Sequence, residues 1–115
     1  PLMITRHKYQ ILFWLCIAAT IFASLTPGVG KPLFQMQDKV FHAAIYALLF
    51  FFCANAYSNR FSLWLLALVL ACFGLSMELA QSMTSYRQAE GWDMLANSTG
   101  ILLVWLLMLW HRRAV

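Results

Sequence analysis

Long apolar stretches separated by short polar segments divide the 115-residue chain into four parts. The apolar stretches cover about residues 9–25, 40–57, 61–79 and 94–110. Each reaches the roughly 17 residues that a helix needs to cross a bilayer core about 30 Å thick. Barrel strands would instead alternate in period two over about ten residues. The pattern therefore predicts an all-α fold, a four-helix transmembrane bundle that forms one domain over residues 1–115.

The composition supports a membrane protein over a soluble one. Hydrophobic residues make up 63% of the chain and charged residues only 10%, whereas a soluble domain carries about 25% charged residues. A chain this short buries only about two-thirds of its unfolded surface, so the excess apolar side chains have no interior to occupy. A soluble monomer and a disordered tail are excluded. Cys16, Cys53 and Cys72 lie inside apolar runs and read as small apolar fillers.

The basic residues that flank the spans predict an orientation. Four spans place both termini on one side, and five of the eight basic residues then share that side: Arg6, Lys8, Arg60, Arg112 and Arg113. The positive-inside tendency makes this side cytoplasmic. A signal peptide with Arg6 and Lys8 in its charged region is the alternative for the first stretch, but the apolar run is long for one. We expect a multi-pass protein with both termini in the cytoplasm.

Polar and ionisable residues gather at the predicted outer end. Such groups are costly near a bilayer, and each is therefore a candidate functional residue. The predicted ligand-binding residues are Asp38, Lys39, His42, Tyr46, Glu78, Gln81, Arg87, Asp93 and Asn97. All four acidic residues of the chain lie at this end.

Helical geometry predicts that these residues face one another. Asp38, His42 and Tyr46 follow at steps of four residues and drift by only about 40° per step around the second helix. On the third helix, Gly74, Glu78 and Gln81 share one arc with small residues, and this suits close helix packing. On the fourth helix, Asp93, Asn97 and Gly100 share an arc of about 60°. The three polar faces predict a single pocket at the headgroup boundary.

Structural roles are open for the same residues. Asp38 and Asp93 could cap their helices, and His42 could donate to a neighbouring carbonyl. Glu78 and Arg87 could form an ion pair that ties the third span to its loop. Tyr46 and Tyr57 could be interface aromatics.

The constellation also resembles a known family. The order and spacing of these polar residues resemble the VanZ-like family. The motifs that carry the resemblance are Asp38-Lys39-x-x-His42-x-x-x-Tyr46, Glu78-x-x-Gln81, Arg87 and Asp93-x-x-x-Asn97-x-x-Gly100. The VanZ-like proteins are small bacterial membrane proteins, and the named member gives low-level teicoplanin resistance. The resemblance implies a cell-envelope protein of the bacterial cytoplasmic membrane that influences glycopeptide susceptibility, and it implies no particular reaction.

Four classes of function fit these residues. The first is a binding module for an anionic envelope lipid, a glycolipid or a peptidoglycan-related ligand, in which Lys39 and Arg87 contact phosphate or carboxylate. The second is an enzyme in which His42 transfers protons, Glu78 or Asp93 orients it, and Arg87 stabilises negative charge. A small proton-coupled transporter and a holin-like pore are the others. Spacing motifs for metals, phosphate loops and nucleic-acid binding are absent, so we expect membrane lipids as partners and no cofactor.

Overall fold

Four helices build the protein. The computed structural model describes residues 2–25, 37–83 and 91–114, and within these ranges it contains no strand. Helix α1 covers Leu2–Leu25, α2 covers Gln37–Tyr57, α3 covers Leu63–Ser82 and α4 covers Gly91–Ala114. The predicted all-α, four-helix fold is confirmed.

The helices suit a membrane by length and composition. Among the described residues, three segments are long and apolar enough to cross one: Val40–Tyr57, Leu63–Ser82 and Met94–His111. These correspond to the second, third and fourth predicted spans. The first predicted span, residues 9–25, lies within α1, and its crossing of the membrane stays a prediction.

The outer surface of the bundle is apolar. Large hydrophobic side chains such as Phe22, Trp64 and Leu107 are more than half exposed, which water would penalise and lipid tails would not. Exposed hydroxyls on this surface bond to their own helix: Ser76 donates to the carbonyl of Cys72, and Thr99 donates to that of Leu95. Lipid offers no hydrogen-bond partners, so this arrangement leaves neither hydroxyl proton unsatisfied there.

Helices α2 and α4 run parallel and form the most extensive contact of the bundle. His42 and Asn97, which are 55 residues apart, meet at the beginning of both helices. The same offset brings Phe50 to Trp105 further along, with ring centroids 6.3 Å apart. Phe50 is fully buried and belongs to the core between the helices.

Small residues let α2 and α4 approach closely. A Cβ atom added to Gly100 would collide with the backbone carbonyl of Ala43 and would lie 3.0 Å from the backbone nitrogen of Ala47. Backbone therefore packs on backbone here, as in other membrane helix pairs. Gly100, which shares the polar arc of the fourth helix in the sequence, thus lies at a helix contact.

A tight turn reverses the chain between α2 and α3. The amides of Ser58 and Phe61 donate to the carbonyls of Ala54 and Tyr57, respectively, each at 3.0 Å. Helix α3 consequently runs back along the bundle, and its C-terminal half meets the beginning of α4. We name the end where α2 and α4 begin the polar end. The turn marks the opposite end, which we name the basic end.

Candidate functional site

At the polar end, a hydrogen bond joins α2 to α4. The imidazole Nδ1 of His42 lies 3.0 Å from the side-chain Oδ1 of Asn97. A carbonyl oxygen only accepts, so Nδ1 carries the proton and donates it. The pair lies partly buried, and Asn97 itself is 1% exposed. The predicted meeting of the second and fourth polar faces is confirmed for these two residues.

Gly74 on α3 supplies the space for this pair. A Cβ atom at Gly74 would lie 2.9 Å from Nδ2 of Asn97 and 3.2 Å from the ring of Tyr46. The missing side chain thus lets an amide and an aromatic ring from two other helices approach the α3 backbone. Gly74 lies at a three-helix contact beneath the polar residues, as the sequence predicted.

Glu78 and Gln81 continue the same face of α3 toward its end. They are 4% and 2% exposed, respectively, and the charge of Glu78 acts on the nearby phenol of Tyr46. Among the side chains that the structure describes, each buried nitrogen or oxygen has a hydrogen-bond partner. We name the buried and partly buried polar side chains of this end the polar cluster: His42, Tyr46, Glu78, Gln81 and Asn97.

The burial of Tyr46 decides between its two predicted roles. Its side chain is 4% exposed and packs near Phe73, with ring centroids 6.3 Å apart. An interface aromatic would present its ring to the headgroup layer, and this one lies inside the bundle instead. The ring of Tyr46 therefore packs inside the bundle, beside the other residues of the polar cluster.

Four predicted site residues have side chains outside the described part of the structure. The backbones of Asp38 and Asp93 lie in the first turns of α2 and α4, and Lys39 follows Asp38. Because these helices begin at Gln37 and Gly91, both aspartates lie one or two residues inside the helix, past the cap position. Arg87 lies between the described ranges. Its ion pair with Glu78 stays a prediction.

The arrangement favours hydrogen-bond recognition or proton transfer. Asn97 orients the ring of His42, and this is the role of the third group in acid–base sites. Among the side chains that the structure describes, no three of His, Cys, Asp or Glu are grouped to hold a metal ion.

Sequence reasoning missed a polar contact at the basic end. The indole Nε1 of Trp14 donates to the hydroxyl of Tyr57 at 2.8 Å, which joins α1 to α2. The ring of Phe13 meets Tyr57 edge-on, with centroids 6.1 Å apart. The aromatic residues were visible in the sequence, but helix periodicity carried no signal for which faces of α1 and α2 meet.

Comparison with known proteins identifies a relative. No protein-family model and no solved structure matches the chain. An uncharacterized protein of the fission yeast Schizosaccharomyces pombe is 31% identical over 112 residues, which cover 94% of this chain and 67% of the yeast protein. A similarity of this extent takes in most of the four-helix bundle. The chain belongs to the same family as this fission yeast protein.

Proposed function

We propose that the protein is a membrane module that binds the polar headgroup of a lipid at the polar end of its bundle. The observation that carries the proposal is the buried carboxylate of Glu78, which is 4% exposed and lies on α3, where each other buried residue except Gln81 is apolar. Removing a charge from water is costly. Packing alone would not select a carboxylate here, because the buried positions of α3 other than Glu78 and Gln81 hold leucine, alanine and glycine.

The contrast with other polar residues supports a functional cluster. Ser76 and Thr99 bond to their own helices and need no partner elsewhere. His42 and Asn97 instead bond across helices, and Glu78 acts on Tyr46 of another helix. Polar side chains from three helices that lie together in this way suit a ligand that enters from the headgroup layer.

The chemistry of Glu78 restricts the headgroup. A carboxylate only accepts hydrogen bonds and offers about four acceptor positions, so the ligand brings N–H or O–H donors to it. Ethanolamine and sugar headgroups carry such donors, whereas the quaternary ammonium of choline has none. The proposed ligand is therefore an aminophospholipid or a glycolipid.

The yeast relative bears on the source of the ligand. The VanZ-like resemblance would place the protein in the bacterial inner membrane and connect the ligand to teicoplanin susceptibility. A relative in a eukaryote favours a ligand class that bacteria and fungi share over a peptidoglycan precursor. Aminophospholipids and glycolipids are shared by bacteria and fungi, and they carry the N–H or O–H donors that Glu78 requires.

An enzyme acting on the same headgroup is the second candidate. The observation that favours it is the Nδ1–Oδ1 bond, which orients the ring of His42. His42 would then transfer a proton, and Glu78 would hold the substrate donor.

Lipid retention tests the binding proposal. The protein in uncharged detergent is mixed with phosphatidylethanolamine, a monoglucosyl diacylglycerol or phosphatidylcholine, and bound lipid is measured by native mass spectrometry. We expect one of the two donor-bearing lipids to be retained over phosphatidylcholine, and Glu78→Gln to weaken that binding by about tenfold because a charge-assisted hydrogen bond is lost.

Two controls make this test decisive. Ser76→Ala changes the same helix on its lipid-facing side and should leave lipid binding unchanged. A loss of phosphatidylcholine binding in Glu78→Gln as large as that of the donor-bearing lipids, or unchanged binding of those lipids by folded Glu78→Gln, would contradict the proposed headgroup site. A headgroup that is chemically altered on incubation would instead favour the enzyme, and His42→Gln should then lower the rate by about 10²–10⁴-fold.

A further inference from the structure

A polar groove lies at the basic end, away from the proposed headgroup site. Its volume is about 730 Å³, and it lies between the N-terminal part of α1 and the turn that follows α2. The polar residues that line it are Arg6, His7, Gln10, Tyr57, Asn59 and Arg60. Two arginines and several uncharged donors thus share one concave surface.

Among the side chains that the structure describes, no acidic one lines the groove beside these arginines. The chain has four acidic residues. The backbones of Asp38 and Asp93 lie in the first turns of α2 and α4, and Glu78 lies near the end of α3, so these three positions are at the polar end. Glu90 lies outside the described residues. Within the described part of the chain, no carboxylate therefore balances the charges of Arg6 and Arg60.

Tyr57 is held in place as a donor to the groove. Its hydroxyl oxygen accepts from the Trp14 indole at 2.8 Å, and its ring packs edge-on against Phe13. A phenol has one proton to donate, and this contact does not use it. Because two neighbours fix the ring, little side-chain entropy is lost when the hydroxyl donates to a ligand.

We propose that this groove binds a phosphate group at the membrane boundary. Arginine presents a planar fork of donors that matches phosphate oxygens, and the groove places two such forks beside amide and phenol donors. The groove lies where the span Val40–Tyr57 ends, which is the depth of lipid phosphates. Basic residues that only set orientation would need charge but no shared concavity.

The experiment compares two residues on α1. Lys8 is exposed and lies outside the groove, whereas Arg6 lines it. Protein in uncharged detergent at about 0.15 M salt, where exposed charges are well screened, is titrated with phosphatidylglycerol, phosphatidylcholine or inorganic phosphate. We expect Arg6→Ala and Arg60→Ala each to weaken binding of a phosphate probe by about tenfold. Lys8→Ala and Glu78→Gln should change it less than twofold.

Each outcome has a defined meaning. Tight binding of phosphatidylglycerol with weak binding of inorganic phosphate identifies a lipid as the source of the phosphate. Comparable binding of inorganic phosphate identifies a soluble ligand, and the phosphate site stands in both cases. An effect of Lys8→Ala equal to that of Arg6→Ala would show attraction to a basic surface without a site and overturn the proposal. Failure of all three probes to bind would also overturn it.

Discussion

Nδ1 of His42 and Oδ1 of Asn97 lie 3.0 Å apart and join the second turns of two parallel helices, although the two residues are 55 positions apart in sequence. His42 supplies a hydrogen-bond donor and Asn97 supplies its acceptor, in surroundings that are otherwise apolar. The stability of the polar end should therefore depend on both.

Replacing Asn97 with Leu should destabilise the bundle by about 1–3 kcal/mol, because the Nδ1 proton of His42 loses its acceptor in a partly buried place. The thermal midpoint in detergent measures this. Thr99→Ala, on the exposed side of the same helix, should stay within about 0.5 kcal/mol of the parent. Equal midpoints for both variants would contradict a stabilising role for the pair.

The two glycines at helix contacts should respond differently to Ala. At Gly100 the new Cβ meets the backbone of Ala43, so α2 and α4 must separate. Overpacking typically lowers the free energy of unfolding by about 1–3 kcal/mol, and we expect a value near the upper end of this range. At Gly74 the nearest atom is the end of the Asn97 side chain, which can move at the expense of its bond to His42. Unfolding in a series of SDS mole fractions should rank Gly100→Ala as the less stable variant, and the reverse order would contradict the packing.

The Trp14–Tyr57 bond should couple α1 to the rest of the bundle. Trp14→Phe and Tyr57→Phe each remove one partner, and a double-mutant cycle should give a coupling of about 0.5–1.5 kcal/mol. The aromatic packing with Phe13 survives in both variants, so the cycle isolates the hydrogen bond. A coupling near zero would show that water replaces it at no cost.

Orientation remains a prediction from the flanking charges. In a background without native cysteines, Gly30→Cys should react with an impermeant thiol reagent added outside intact cells, and Asn59→Cys in the exposed turn should not. A reporter fused after Val115 should stay cytoplasmic. Labelling of Asn59→Cys from outside would invert the topology.

Helical periodicity was sufficient to predict that His42 and Asn97 meet and that Glu78 faces the interior. Residues four apart share a face, and burying polar side chains together costs less free energy than exposing them to lipid. The predicted contacts of Asp38, Lys39, Arg87 and Asp93 stay predictions. Periodicity cannot predict which two of the helices pack most closely. The small residues Ala43 and Gly100 decide that, through backbone contact.

The position of Tyr46 shows a second limit of the sequence. Its spacing placed it on the polar face, but its depth depends on the space that Gly74 leaves on another helix. Such a relationship joins residues on different helices and has no periodic signature. The contact of α1 with Tyr57 was missed for the same reason.

The parallel arrangement of α2 and α4 imposes an order on biosynthesis. At about 5–20 residues per second, a ribosome that has completed His42 needs roughly 3 to 11 s to reach Asn97. During that interval α2 enters the bilayer while the helix that will cover Ala43 has not been made. The nascent chain thus passes through a stage in which the small-residue face of α2 lacks the helix that later covers it, and this close pairing waits for the synthesis of α4.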